Sequence, residues 1–122
     1  MAAIMTSITP WLTVSNGKKA IQFYQAAFGA AEIYHLDGPD DTVVSKLSID
    51  GAEFWLSDGD MIGRENNIRL ILTVSDPESV FSNAIQAGAT EVFPVGEGHG
   101  WKLGRVADPF GHHWEIGHEI SQ

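Results

Sequence analysis

The sequence predicts an α+β fold built from two tandem copies of a βαβββ unit. The first observation is an internal repeat, because residues 12–15 (LTVS) return unchanged as residues 72–75. After a one-residue shift the similarity resumes between residues 29–34 and residues 88–93. The second observation is that each half holds one segment of helical periodicity among several of strand alternation. Each copy is too small to bury a core alone, so the copies must pack together, and we expect a ligand cleft where they meet.

The first copy is predicted to span about residues 6–58. Residues 8–14 alternate between two faces, as a half-buried strand does. Asn16 is the predicted N-cap of a helix with an apolar stripe, and Gly29 is its predicted left-handed C-cap. An Asp-Gly pair at residues 50–51 predicts a tight hairpin turn. The other predicted strands of this copy cover residues 31–36, 42–49 and 53–57.

The second copy is predicted to span about residues 68–120, after a segment at about residues 59–67 that we interpret as a linker or a lid over the cleft. Asp76 is the predicted helix N-cap with Pro77 at the first helical position, and Gly88 ends the helix. The predicted buried stripe of this helix consists of Val80, Phe81, Ala84 and Ile85. The predicted strands cover residues 68–74, 91–95, 102–107 and 113–120, and a glycine-rich loop, either a flap or a plain turn, covers residues 96–100.

The composition limits the classes of function. Hydrophobic residues make up 43% of the chain and charged residues 19%, which is typical of one globular domain. Sixteen acidic against seven basic residues argue against nucleic-acid binding, and the net charge of −9 either steers cationic ligands or only maintains solubility. The absence of Cys excludes disulfides and thiolate chemistry. Because no signal peptide or membrane-spanning apolar run is visible, we expect a cytoplasmic protein without a membrane partner.

Three features resemble the vicinal oxygen chelate superfamily: the βαβββ tandem, residues 13–30 (TVSNGKKAIQFYQAAFGA) and residues 104–117 (GRVADPFGHHWEIG). The most specific is the Asp-Pro-Phe-Gly turn at residues 108–111, followed four residues later by Glu115. The superfamily includes glyoxalase I, fosfomycin and bleomycin resistance proteins, extradiol dioxygenases and metal-free relatives. The resemblance implies two modules that form a curved mixed sheet around a central cleft, usually in a homodimer.

The resemblance also implies where a divalent metal would bind in the metalloenzymes. The corresponding positions here are Thr9, Trp55, Arg69 and Glu115. Only Glu115 is a good ligand, because Trp offers no donor atom, Thr is a poor ligand, and Arg brings a permanent positive charge. We therefore expect no metal cofactor, with Arg69 pairing Glu115 in place of the ion. If a divalent metal does bind, we expect Glu115 and His113 as ligands.

Strand alternation predicts which side chains line the cleft on the face opposite the helices. The predicted ligand-binding residues are Thr9, Trp11, Thr13, Trp55, Ser57, Arg69, Ile71, Thr73, His113 and Glu115. Aromatic walls with few convergent polar groups favour a small-molecule site, and indole faces bind planar rings and cations. Alternatively, the tryptophans only fill space between the modules, and Arg69 with Glu115 forms a structural ion pair.

Three hypotheses of function follow. The preferred one is a metal-free small-molecule binding protein of the antibiotic-resistance type, which holds a planar or cationic compound between tryptophans in a homodimer. The second is a lyase or isomerase of the glyoxalase kind, in which Glu115 is catalytic and a metal is held by unorthodox ligands including His113 and His99. The third is a dimeric regulatory or interaction module that binds no small molecule.

Overall fold

The computed structural model describes residues 4–60 and 67–120. The first module consists of β1 (Trp11–Val14), α1 (Gly17–Phe28), β2 (Ala31–Asp37), β3 (Val43–Ile49) and β4 (Ala52–Asp58), with a 3₁₀ turn at Pro39–Asp41. The second consists of β5 (Arg69–Thr73), α2 (Pro77–Ala87), β6 (Thr90–Gly98), β7 (Trp101–Ala107) and β8 (His113–Glu119). The predicted α+β class with two βαβββ units is therefore confirmed. Neither helix within the described ranges has the length and apolar character of a membrane span.

The strands form two four-stranded sheets, ordered β1-β4-β3-β2 and β5-β8-β7-β6. In each sheet the first strand is parallel to the last, and the other neighbours are antiparallel. The register repeats as well, because Trp11 lies opposite Trp55 and Ile71 opposite Glu115. Each module therefore has its own sheet, and the described residues form no strand ladder between the two.

The helix boundaries follow the predicted capping chemistry. The Asn16 side chain accepts a hydrogen bond from the Lys19 amide at 3.1 Å, and the Asp76 side chain accepts one from the Ser79 amide at 3.3 Å. Gly29 ends α1 at φ 66°, a left-handed conformation that glycine adopts without steric cost. These predicted caps are confirmed.

The hydrophobic core lies between each sheet and its helix and continues between α1 and α2. The side chain of Trp114 on β8 in the second module contacts α1 of the first module. Its ring centroid lies 4.7 Å from that of Phe28 and 5.5 Å from that of Tyr24. Aromatic contacts of this kind contribute about 0.5–1.5 kcal/mol each beyond burial. The opposite faces of both sheets remain uncovered in the single chain, where Trp11 and Ile71 are exposed.

A buried carboxylate in the turn before β8 joins the two modules. One oxygen of Asp108 accepts hydrogen bonds from the Tyr24 hydroxyl at 2.6 Å and the Trp114 indole at 2.9 Å. The other oxygen accepts from the backbone amides of Phe110 and His112. Burial, together with the negative charge of Asp108, raises the pKa of Tyr24 well above its usual value. The phenol therefore stays protonated and donates its hydrogen bond.

His112 forms a second link between the modules. Its Nδ1 accepts a hydrogen bond from the Ile68 amide at 3.0 Å, and its Nε2 donates to the Thr13 carbonyl at 2.7 Å. This pattern requires the neutral tautomer protonated at Nε2. Both ring nitrogens are used, so His112 is a structural residue that ties the edge of the first sheet to the start of β5.

Several predicted boundaries were wrong. The strand predicted from residue 8 begins at Trp11, because Pro10 has no amide hydrogen for the ladder, and Ile8 is 96% exposed. Strand β6 runs through most of the predicted glycine-rich loop, which leaves a turn at His99, with φ 53°. Ile85 of the predicted buried stripe is exposed. Of the segment predicted as linker or lid, residues 61–66 lie outside the described residues.

Candidate functional site

The open face of the first sheet carries an aromatic row. Trp11, Trp55, Lys46 and Tyr34 lie opposite one another on β1, β4, β3 and β2, and we call this set row 1. The two indole rings stack, with centroids 5.2 Å apart and planes 9° from parallel. Trp55 also meets the edge of Tyr34 at 5.5 Å, and Lys46 Nζ lies 5.2 Å from its ring centroid. The ring of Trp55 is thus enclosed by neighbours.

Trp11 keeps an open ring. Its side chain remains 48% exposed, and its indole nitrogen donates a hydrogen bond to Ser57 Oγ at 2.8 Å. This bond and the stacking on Trp55 together fix the orientation of the ring. A fixed and exposed indole loses little conformational freedom when a flat molecule stacks on it, which favours binding.

The open face of the second sheet carries an ionic row at the equivalent positions. Ile71, Glu115, Arg105 and Phe93 lie opposite one another on β5, β8, β7 and β6, and we call this set row 2. Arg105 Nη2 donates to one oxygen of Glu115 at 3.2 Å, and Arg69 Nε lies 3.4 Å from the other oxygen. The guanidinium carbon of Arg105 lies 5.4 Å from the centroid of the Phe93 ring.

The charges in this group do not balance. Two guanidinium groups surround one carboxylate, so the trio of Arg69, Arg105 and Glu115 carries a net positive charge within a chain of net charge −9. Among the described residues, Arg105 Nε is a buried nitrogen without a hydrogen-bond partner. The second open face therefore holds two positive charges around Glu115, and Glu119, which lies opposite Trp101 on the same face, adds one negative charge.

The residues at the metal positions of the superfamily do not fit a divalent ion. Glu115 contacts two guanidinium groups, which would repel a cation, and Trp55 offers no donor atom. Within residues 4–60 and 67–120, no three His, Asp or Glu side chains converge as a metal site would require.

The structure places the predicted site residues in two groups. Trp11, Thr13, Trp55 and Ser57 lie on the first sheet, and Arg69, Ile71, Thr73, His113 and Glu115 lie on the second. Thr9 precedes β1 and belongs to neither ladder. Because each sheet is a separate ladder, the single chain presents two open faces.

Sequence reasoning missed the third strand of each module. Lys46 and Arg105 hold the centre of their rows and contact an aromatic ring, yet neither was among the predicted residues. Tyr34 and Phe93 were missed on the outer strands for the same reason. The available signal was the repeat itself, because each of these pairs is separated by 59 residues.

The open face of the second sheet continues into a cavity of about 340 Å³. Phe93 lines this cavity and also contacts Arg105. The other lining residues are Pro94, Gly96, Glu97, Gly98, His99, Trp101 and Leu103.

Known proteins are similar to this chain in sequence or in architecture. A protein of Mycobacterium bovis described as uncharacterized is 35% identical in an alignment of 130 positions, which covers 95% of this chain and 85% of that protein. The crystal structure of TioX from Micromonospora has a TM-score of 0.79 at 19% identity, covering 95% of this chain and all of the other. The fosfomycin resistance protein FosX of Listeria monocytogenes has a TM-score of 0.75 at 18% identity, covering 97% of this chain and 96% of the other.

The two structural likenesses are below 25% identity and therefore concern the fold. The family model described as a glyoxalase-like domain matches residues 11–117, which is nearly the whole described fold. The match includes both rows and the Asp108 turn. This chain therefore belongs to the glyoxalase-like domain family, and the resemblance to the vicinal oxygen chelate superfamily is confirmed.

Proposed function

We propose that this protein binds a small planar molecule without a metal, as a binding protein of the glyoxalase and bleomycin-resistance type. The observation that carries the proposal is the stacked Trp11–Trp55 pair, with one indole held rigid and 48% exposed. A resistance role is suggested by analogy with the fosfomycin resistance protein of the same fold.

Row 1 favours a planar ligand over a cationic one. Lys46 already lies over the ring of Trp55, at 5.2 Å from its centroid, and pairs with Glu53 at 2.9 Å. A cationic ligand stacked near Trp55 would meet this ammonium as a like charge. A neutral or anionic ring stacked on Trp11 has no such opposition.

We further propose a homodimer in which the open face of the first sheet lies against the open face of the partner's second sheet. The side chains of β2 and most of those of β6 are exposed, and large apolar groups are uncovered on these faces. These exposed apolar groups are Trp11, Tyr34, Leu36, Ile71 and Phe93. Exposed apolar groups that lie together on one face favour an interaction site, and pairing unlike faces would combine row 1 with row 2 in one enclosed cleft.

The test of binding is a tryptophan-fluorescence titration with a panel of neutral planar compounds. We expect quenching in the wild type and affinity weakened roughly 3- to 10-fold in Trp11→Ala, because one stacking contact is lost. Ile85→Ala removes an exposed apolar side chain of α2, away from both open faces, and is the control that should bind as the wild type does. Equal affinity of Trp11→Ala and the wild type would contradict the proposal, and a chain that elutes as a monomer in size-exclusion chromatography would contradict the dimer.

The alternative is a metal-dependent lyase or isomerase centred on Glu115, the one residue at the superfamily positions with a metal-binding carboxylate. It requires a stoichiometric divalent ion in the purified protein and loss of turnover in Glu115→Gln. Elemental analysis separates the two functions. A third function, a dimeric regulatory module, would leave the fluorescence unchanged across the whole panel.

A further inference from the structure

We propose that the second sheet binds the carboxylate of a small molecule with an apolar body, through Arg69, Arg105 and the cavity beside Phe93. The inference rests on the proposed small-molecule function and names the class of ligand. It uses residues that the Trp11–Trp55 pair does not include.

The carboxylate of the ligand would meet two guanidinium groups, those of Arg69 and Arg105. Glu115 engages Arg105 through Nη2 and lies nearest Arg69 at Nε, so the terminal N–H groups of the mostly exposed Arg69 are open to a ligand within the described residues. The Arg69 side chain is 62% exposed, whereas that of Glu115 is only 13% exposed. Glu115 is therefore a positioning residue that holds two cations side by side. Like charges held together in this way favour an anion, and the planar fork of Arg matches a carboxylate.

An apolar surface lies beside Arg105 on the same face. Leu103 precedes Arg105 by two residues on β7, so both side chains lie on the same open face. Phe93 contacts Arg105 and lines the cavity of about 340 Å³ together with Leu103 and Trp101. That volume is at the lower end of small-ligand pockets. An apolar body in this cavity would place its carboxylate toward the two guanidinium groups.

The cavity wall also holds an acidic residue, Glu97. Glu97 lines the cavity, but it lies opposite Lys102, and Lys102 bonds Glu78 of α2 at 2.6 Å. Negative charge from Glu97 also contributes to the raised pKa of Lys102, after the dominant hydrogen bond to Glu78. The charge of Glu97 is therefore countered on the helix side, away from the Arg pair.

The experiment compares three probes of nearly the same shape by isothermal titration calorimetry. These are 2-naphthoate, the neutral 2-naphthamide and the cationic 2-naphthamidine. We expect 2-naphthoate to bind roughly 10- to 100-fold more tightly than 2-naphthamide, since charge-assisted hydrogen bonds provide the difference. We expect 2-naphthamidine to bind most weakly of the three.

Two variants assign the effect to this site. Arg69→Gln should remove most of the preference for 2-naphthoate, whereas the control Lys18→Gln removes an exposed cation on α1 and should change nothing. Gly96→Leu should weaken all three probes, because Gly96 lies opposite Leu103 and a side chain there enters open space in the cavity. Arg69 is mostly exposed and Gly96 has an ordinary backbone conformation, so both variants should fold.

Equal affinities for the acid and the amide, or tighter binding of the amidine, would overturn the assignment of an anionic ligand while leaving a small-molecule function in place. Unchanged 2-naphthoate binding in both Arg69→Gln and Gly96→Leu would place the ligand elsewhere and overturn the site. No detectable binding of 2-naphthoate at about 1 mM would also overturn it. The panel of neutral compounds with Trp11→Ala tests the proposed function separately.

Discussion

The rows on the two open faces agree on the second and third strands of their modules, here called the outer positions, and differ on the first and fourth strands, here called the inner positions. The outer strands carry Tyr34 and Phe93, and the third strands carry Lys46 and Arg105, so an aromatic group beside a cation recurs. The inner positions are Trp11 and Trp55 in row 1, against Ile71 and Glu115 in row 2.

This difference shows how one scaffold gives two kinds of surface. In row 1 the cation lies over the inner indole, and the face is dominated by aromatic contacts. In row 2 the carboxylate of Glu115 contacts the guanidinium groups of Arg69 and Arg105, and charged contacts dominate the face. Because the backbone register is the same, two side chains on the first and last strands decide the chemistry of each face.

The turns before the last strands offer the strongest contrast between the modules. Asp108 is buried and accepts four hydrogen bonds, whereas Asp50 lies in an exposed two-residue hairpin turn with φ 50°. Asp108→Asn should lower the free energy of unfolding by roughly 2–5 kcal/mol, because an amide nitrogen would oppose the donors of Tyr24 or Trp114. Asp50→Asn should change it by less than about 0.5 kcal/mol, since Asn tolerates this conformation. Urea denaturation measures both changes in the free energy of unfolding. Equal losses would show that Asp108 contributes no more to stability than Asp50 does.

The ion pairs of the two rows should also differ in strength. The Arg105 side chain is 22% exposed and bonds a carboxylate that is 13% exposed, whereas Lys46 bonds the more accessible Glu53. Glu115→Gln should cost about 1–3 kcal/mol, because it leaves two guanidinium groups without the carboxylate that they share. Glu53→Gln should cost about 0–1 kcal/mol, as exposed pairs do. Thermal unfolding at equal ionic strength compares the stability losses of the two variants. Similar losses would mean that the ion pairs of Glu115 are no stronger than the ion pair of Lys46 with Glu53.

The inner aromatic pair of row 1 should give a smaller effect. Trp11→Ala removes a ring stacked at 5.2 Å on Trp55, and we expect a loss of about 1 kcal/mol. Ile71→Ala removes an exposed side chain that is not part of the core cluster, and should fall within about 0.5 kcal/mol of the wild type. Chemical denaturation with intrinsic fluorescence distinguishes these outcomes. A greater loss in Ile71→Ala than in Trp11→Ala would reverse the contrast between the rows.

The smallest effect is expected on the outer strand, where the first module has His35 and the second has Pro94. Hydrogen bonds to Glu32 and Asp37, both at 2.8 Å, raise the pKa of His35 above its ordinary value. Since the folded pKa exceeds the unfolded one, this stabilisation is present below the unfolded pKa and is lost as pH rises through the folded pKa. Proton NMR of the imidazole should show the raised midpoint, and His35→Gln should remove this part of the pH dependence of unfolding. A titration midpoint of His35 at or below that of a free histidine would contradict the hydrogen bonds to Glu32 and Asp37.

Much of the fold and part of the site could be predicted before the structure. Caps such as Asn16 and Gly29 follow from local chemistry, and the side that Trp11, Trp55, Arg69 and Glu115 occupy follows from alternation. Arg105 was missed because no sequence motif marks it. Its place in row 2 depends on contacts with Glu115 and Phe93 on the neighbouring strands. The role of Asp108 was missed because its partner Tyr24 is 84 residues away in the chain.

The sequence by itself determined the repeat, the order of elements and the face of each strand, because these depend on interactions between residues close in the chain or on a period of two. Only the tertiary structure decided that the modules join through Asp108, His112 and Trp114 and that two guanidinium groups share Glu115. Such contacts depend on strand register and on the packing of α1 against α2, which bring together residues distant in the chain. The same packing leaves both rows open, on the faces of the sheets that the core does not use.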